Sequence, residues 1–196
     1  GYLMRDLLSN SSGFKATMVD ISPAMMTRQR ETLNGFHVRY LQSDFFNIDP
    51  ALIRDQDLVI MNEIVGDFPT ACQITNDLVT CGNHDNESLD KIREYITQGI
   101  IKLPEDEPFN LNIGAMMALE RVCSSNVPCI FVSEHSCEAK VNDHMAPYIK
   151  LEPSGNPEEI RLIGHSEYTI RFSHLESIAR SFGYTVVRGN YTDFIK

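Results

Sequence analysis

Short apolar runs that stop on an acid or an amide recur along the first third of the chain. KATMVDIS ends its apolar part on Asp20, HVRYLQSDFF carries Asp44, and DLVIMNEIVGDFP (57–69) runs into Asn62 and Glu63 before a turn with Gly66 and Pro69. A short apolar run bounded by turn signals is the pattern of a buried parallel strand. Between the first two runs AMMTRQRETL has helical character, with Pro23 where a first-turn proline is tolerated, Ser22 as the cap candidate and Asn34-Gly35 as the stop. Residues 1–9 predict an earlier helix, since Leu3, Leu7 and Leu8 fall at helical spacing and SNSSG closes it. Strand–helix–strand–loop–strand with short connections implies a parallel, helix-flanked α/β sheet.

The rhythm breaks over residues 70–111. A helix from about Ser88 to Thr97, closed by Gly99, stands out there, and acidic, loop-like IKLPEDEPFN follows. The segment reads as an insertion over the carboxyl edge of the sheet, with a lid and an inert surface elaboration both open. NIGAMMALERVCSS then predicts an amphipathic helix, and VPCIFVSEH another buried strand ending in polar residues. EAKVNDHMAPYIKLEPSGNPEEIRL is irregular and proline-containing and is expected to cover the same edge. FSHLESIARSFG predicts a helix with Ser173 as cap, Glu176 at capping-box spacing and Gly183 as its end. YTVVRGN and YTDFI read as strand, turn and strand, the one antiparallel hairpin expected.

Composition narrows the partners. A chain of 196 residues suits one domain with a sizeable core. Lys and Arg number 17 against 27 Asp and Glu, a net charge of -10, which argues against nucleic acid because phosphate binding needs a basic patch. A small ligand or a basic protein target is permitted. Five cysteines, Cys72, Cys81, Cys123, Cys129 and Cys137, form no CxxC pair, the pattern of reduced thiols in a reducing compartment, and a cytoplasmic location is expected. No apolar run approaches the roughly 20 residues of a membrane span, so no membrane partner is expected. The chain opens on Gly1 directly before a helical pattern, which predicts that it begins inside a domain. Nothing in the pattern specifies an oligomeric state.

In open α/β sheets ligands lie just beyond the carboxyl ends of the strands. An acid there can accept both hydroxyls of a ribose, and Asp44 followed by Phe45 suits an adenine, the carboxylate accepting from its amine and the ring packing beside it. Asp20, Asp44 and Asn62 with Glu63, in order, predict an adenosine-containing cofactor: a nicotinamide dinucleotide or S-adenosylmethionine. The expected closing hairpin and the want of a second glycine-rich turn favour S-adenosylmethionine. Glu134, His135, Cys137 and His144 lie close in sequence, but their spacing matches no standard zinc pattern, and no metal site is expected. A nucleophilic pair of Cys137 and His135 lacks an orienting third group.

Longer motifs carry a resemblance. GYLMRDLL (1–8) is similar to the end of E-L-G-P-G-x-G-x-L-x-x-D-L-L, MVDISPAMMTRQRETL to V-E-x-S-P-x-L-x-x-x-Q-x-x-x-L, and NEIVGDFP to N-E-L-L-D-A-L-P. EYTIRFSHLESIARSFGY resembles D-I-T-x-x-V-D-F-x-x-L-x-x-x-A-x-x-x-G. These are motifs of the MidA-type S-adenosylmethionine-dependent methyltransferases, which include the mitochondrial complex I assembly methyltransferase. The resemblance covers the chain outside residues 70–111 and implies a Rossmann-like class I methyltransferase domain over 1–196, with its first strand before Gly1 and its last strand antiparallel. It implies S-adenosylmethionine bound by Gly1, Asp20, Ile21, Asp44, Phe45 and Asn62, and a protein or small-molecule methyl acceptor such as an arginine. It adds the mitochondrial matrix as the location in a eukaryote. Carboxylates must hold and deprotonate a guanidinium, so Glu63 and Asp67 are the catalytic candidates, with Glu134 behind them. Two positions depart from the family: its motif aspartate falls on Gly66, and SEHSCE replaces D-Y-G. A binding or assembly factor without turnover and an NAD-dependent oxidoreductase are the alternative functions.

Overall fold

A computed structural model describes residues 1–10, 13–81, 86–103, 108–140, 147–148 and 153–190. The chain divides into two compact units, 1–52 and 53–196. In the first, helix α1 (Tyr2–Asn10) precedes strand β1 (Ala16–Asp20), helix α2 (Pro23–Thr32) and strand β2 (Val38–Gln42). β1 and β2 pair in parallel, Ala16 against Val38 through Asp20 against Gln42, with α2 as the crossover that parallel strands require. Ser22 caps α2 as its sequence predicts, accepting from the backbone N–H of Met25, and Pro23 fills the first helical position. Met26 and Leu33 of this segment are buried with Ala16 and Ile48, and the Arg30 guanidinium lies 4.2 Å over the Tyr40 ring. Helix α3 (Pro50–Arg54) leads into the second unit.

That unit begins with β3 (Leu58–Asn62), followed by a 3-10 turn at Val65–Asp67, β4 (Ala71–Ile74), α4 (Asn76–Cys81) and α5 (Glu87–Thr97). β5 (Phe109–Leu111), α6 (Ile113–Ser124) and β6 (Cys129–Ser133) come next, then β7 (Glu159–Arg161), β8 (Ser166–Tyr168) and α7 (Phe172–Ser181). β3 and β6 form the second parallel ladder, Leu58 against Cys129 through Asn62 against Ser133. The described residues are therefore α/β with the two longest ladders parallel, compatible with a Rossmann-like fold. The strands read as fully buried are mostly half-buried instead: Val59 and Ile60 keep part of their surface, and only Met61 of β3 is buried.

The core of this unit is α6, whose Ile113, Ala115, Met116, Ala118, Leu119, Val122 and Cys123 are buried against α5 and α7. Described residues of the 70–111 segment contribute to that core. β4 and β5 pair antiparallel at the two ends of the segment, and α5 contributes Leu89, Ile92 and Tyr95 as buried residues. The Tyr95 hydroxyl donates to Glu120 of α6 at 2.7 Å, and the Lys91 ammonium lies 2.9 Å from the same carboxylate. Burial raises the Tyr95 pKa, and the adjacent Glu120 charge raises it further. Burial opposes the Lys91 charge, but Glu120 and Glu94 outweigh it and hold the ammonium above its ordinary range. Glu120→Gln keeps an acceptor for Tyr95 but removes the ion pair. The expected loss is about 1–2 kcal/mol, seen as a lower urea midpoint with an unchanged slope.

The second strand expected for the closing hairpin, 191–195, lies outside the described residues, and 184–190 form no strand ladder among the described ones. The hairpin that does form is β7–β8, Glu159 against Tyr168, inside and just after the stretch read as irregular. Three-residue strands give no alternation to detect. Ser173 is not the cap of α7; that position is Arg171, and its side chain makes no capping bond. Glu138, far back in the chain, takes over: its carboxylate accepts from the Ser173 N–H at 2.9 Å and from the Ser173 hydroxyl at 2.6 Å. Arg188 lies 3.0 Å from the same carboxylate, and Arg171 3.6 Å. Burial raises the Glu138 pKa, but these hydrogen bonds and charges outweigh it and hold it below the usual carboxylate range.

Candidate functional site

Each unit places polar groups at the carboxyl end of its parallel ladder. In the first, Asp20 ends β1, and its carbonyl accepts from the Ser43 N–H of the neighbouring strand end. One carboxylate oxygen accepts from the Ser22 N–H at 2.9 Å, the other from the Gln29 side-chain amide at 2.7 Å. Asp20, Ser22, Pro23 and Gln29 thus form one local device: acid, cap, first turn, and a donor two turns on that fixes the acid. The Gln29 carbonyl oxygen is buried without a partner. Each Asp20 oxygen keeps a second lone-pair site for a hydroxyl donor.

Asp44 stands two residues past β2 and caps the 3-10 turn Phe45–Asn47, accepting from the Phe46 N–H at 2.9 Å. Phe45 and Phe46 meet edge to face at 5.8 Å between ring centroids. Gly1 immediately precedes α1, and its carbonyl accepts from the Arg5 N–H at 3.0 Å. Ile21, next to Asp20, is exposed.

In the second unit Asn62 closes β3 and Glu63 follows with φ 49, the left-handed region that a non-glycine residue rarely occupies. The Glu63 N–H donates to the Ser133 carbonyl at 2.8 Å, so the turn is locked to the end of β6 while the side chain is exposed. Backbone held in this region costs about 1 kcal/mol or more and clusters at functional sites. Asp67 lies in the 3-10 turn, half-exposed, 3.6 Å from the His165 imidazole.

Gly66 is tightly enclosed. A Cβ built there would stand 2.9 Å from the Tyr168 carbonyl oxygen and 3.3 Å from the Glu134 carboxyl carbon. The Gly66 N–H donates instead to Glu134 at 3.2 Å. No aspartate fits at 66 while β8 passes this close.

Glu134 follows β6 and is the most enclosed of the sequence candidates, its side chain only 1% exposed. The structure joins it to His135, as the sequence does, but not to Cys137. That thiol is buried, and burial and then Glu138 push it up to about 11, so it is not a thiolate nucleophile. His144 lies outside the described residues. The sequence gives no hint of Glu167. Carried in by β8, it lies 3.4 Å from His135 Nδ1 on one side and groups with Asp67 and His165 on the other. Only the hairpin makes this meeting, and no local motif announces it. Asn112, also unsuspected, is buried and ties three segments together, donating to Thr70 and the Thr169 carbonyl and accepting from the Arg171 N–H.

Compared with known protein families, curated proteins and solved structures, the chain matches none. Among the described residues no helix is long and apolar enough to cross a membrane.

Proposed function

We propose that this chain is an S-adenosylmethionine-dependent methyltransferase acting on a protein or small-molecule nucleophile. The observation that carries the reading is the Asp20–Gln29 pair at the carboxyl end of β1: an acid held in place by Ser22 and Gln29, each of its oxygens keeping a second acceptor site. That is a cradle for a vicinal diol, which the ribose of an adenosyl cofactor supplies. Strand pairing supports it too: β1–β2 and β3–β6 are each parallel ladders that carry polar groups at their carboxyl ends, where open α/β sheets bind ligands.

S-adenosylmethionine, when bound, supplies a methyl group activated by a sulfonium. The chain's own part is to bind, align and accept a proton. Asp20 takes the ribose hydroxyls, with Gln29 fixing its carboxylate; Gly1, Ile21, Asp44, Phe45 and Asn62 are the other proposed contacts. Glu63, held by its left-handed backbone, and Asp67 are assigned to orienting the acceptor and receiving its proton.

Calorimetric titration tests the cofactor. S-adenosylmethionine should bind, NAD should not, and Asp20→Asn should weaken binding about tenfold or more, the loss of one charge-assisted hydrogen bond. Binding of NAD alone, or of neither, ends the reading. Labelled methyl transfer into cell extract tests turnover: Glu63→Gln should lower it about 100-fold with cofactor affinity kept. Gly66 favours a second reading, a binding or assembly factor without transfer, because the acid that the resembling motif keeps there has no room. Cofactor binding with no labelling by the unaltered protein would select it.

A further inference from the structure

We propose that Glu134, His135 and Glu167 form a binding site for a divalent transition-metal ion of the zinc kind. Their ligand atoms lie within 4.8 Å of one another. His135 Nδ1 stands 3.3 Å from Glu134 Oε1 and 3.4 Å from Glu167 Oε1. Charge-assisted hydrogen bonds are shorter, about 2.7–2.9 Å. Ligands about 2.0–2.1 Å from a tetrahedral ion, by contrast, stand roughly 3.3 Å apart. Both histidine–carboxylate distances are those of neighbouring vertices around such an ion, and the two carboxylates lie within 4.8 Å of each other.

Charge points the same way. Glu134 is 1% exposed and Glu167 14%, and among the described residues neither meets a lysine or arginine. Two carboxylates this enclosed, facing one imidazole, leave negative charge that a divalent cation neutralises. The ligands are also held from behind. Glu134 accepts the Gly66 N–H with Oε2 and the His135 N–H with Oε1, while the His135 carbonyl accepts the Ile170 N–H at 2.7 Å. Bonds of this kind orient metal ligands. His135 is 62% exposed, so a fourth position is open to water or a substrate atom. Asp67 and His165 lie on the other side of Glu167, but at 3.6 Å and half-exposed they are wider and wetter, and they are left out of the site.

The test uses metal alone, with no methyl donor, so it succeeds or fails independently of the cofactor reading. Protein dialysed against chelator and titrated with Zn2+ should bind one equivalent, and Co2+ should give the visible bands of a four- or five-coordinate ion. His135→Ala, at an exposed position, should weaken binding on the order of 100-fold, and Glu167→Gln likewise. His165→Ala should leave affinity within about threefold. Circular dichroism identifies any variant that fails to fold, and His135→Ala then decides alone. Absence of saturable binding, full affinity in His135→Ala, or an equal loss in His165→Ala overturns the proposal.

Discussion

Gly114→Ala is expected to lower stability by about 2 kcal/mol, or roughly 4–8 °C in Tm for a chain of this size. Gly114 sits in the first turn of α6, where its N–H donates to the Pro69 carbonyl at 2.8 Å. A Cβ there would lie 2.7 Å from both the nitrogen and Cδ of Pro69 and 2.9 Å from Phe68 Cβ. None of these atoms is the free end of a flexible side chain, so helix and turn must separate. Overpacking of this kind costs about 1–3 kcal/mol, and separation stretches the hydrogen bond for about 1 more. Alanine's better helix propensity returns about 1 kcal/mol, which is too little to reverse the sign. Thermal unfolding of the single variant and of Gly114→Ala with Pro69→Ala decides between a local clash and a generic helix effect. Removing the ring should recover part of the loss, so the double variant should be more stable than the sum of the singles. Strict additivity would remove Pro69 from the explanation.

The same turn governs the site. Residues 63–69 run from a left-handed Glu63 through a closed Gly66 to a Pro69 pressed on α6, each fixed by a different neighbour: Ser133, Tyr168 and Gly114. A shift at Gly114 therefore moves the backbone that donates to Glu134. Loss of stability and loss of metal affinity should accompany each other in that variant, but not in Glu120→Gln, whose contacts lie between α5 and α6.

Where local chemistry decides an element, the sequence is legible. Ser22-Pro23 starts α2 and the apolar runs at 16–20, 38–42, 58–62 and 129–133 are strands, because cap, proline and periodicity act within a few residues. Asp20 and Gln29 are likewise nine apart on one strand–helix unit, so their meeting follows from the crossover itself. Elements decided at a distance are not legible. Ser173 has the residue type and spacing of a cap, yet Glu138 supplies the carboxylate, and Glu176 turns to Arg180 and Arg188 instead. Glu167 reaches Glu134 and His135 only because two three-residue strands pair. The packing of α5 is likewise set at a distance, since Tyr95 finds Glu120 on α6.

Acid should destabilise the protein in two successive windows, and the upper one belongs to His174. Burial, and then the Arg171 charge, lower this histidine to about 4, with Glu138 pulling weakly the other way. An unfolded histidine titrates near 6.5. Between these values the unfolded chain holds a proton that the folded one refuses, so stability must fall as pH falls from about 6.5 toward 4. Full expression of that gap is about 3 kcal/mol. Glu138 acts below this: its folded pKa is depressed, so its contribution is present above the ordinary glutamate value and is lost as pH falls through the lower folded one. His174→Gln removes the upper window and leaves the lower one, because Glu138 keeps Ser173, Arg171 and Arg188. Urea midpoints at pH 7, 6, 5 and 4.5 should fall steeply for the unaltered chain and by less than a third as much for the variant. Parallel slopes for the two proteins would place the acid sensitivity elsewhere and return His174 to a packing role. A slope that vanishes in His174→Gln down to pH 4.5 but returns below it would identify both groups, in the order their burial and partners dictate.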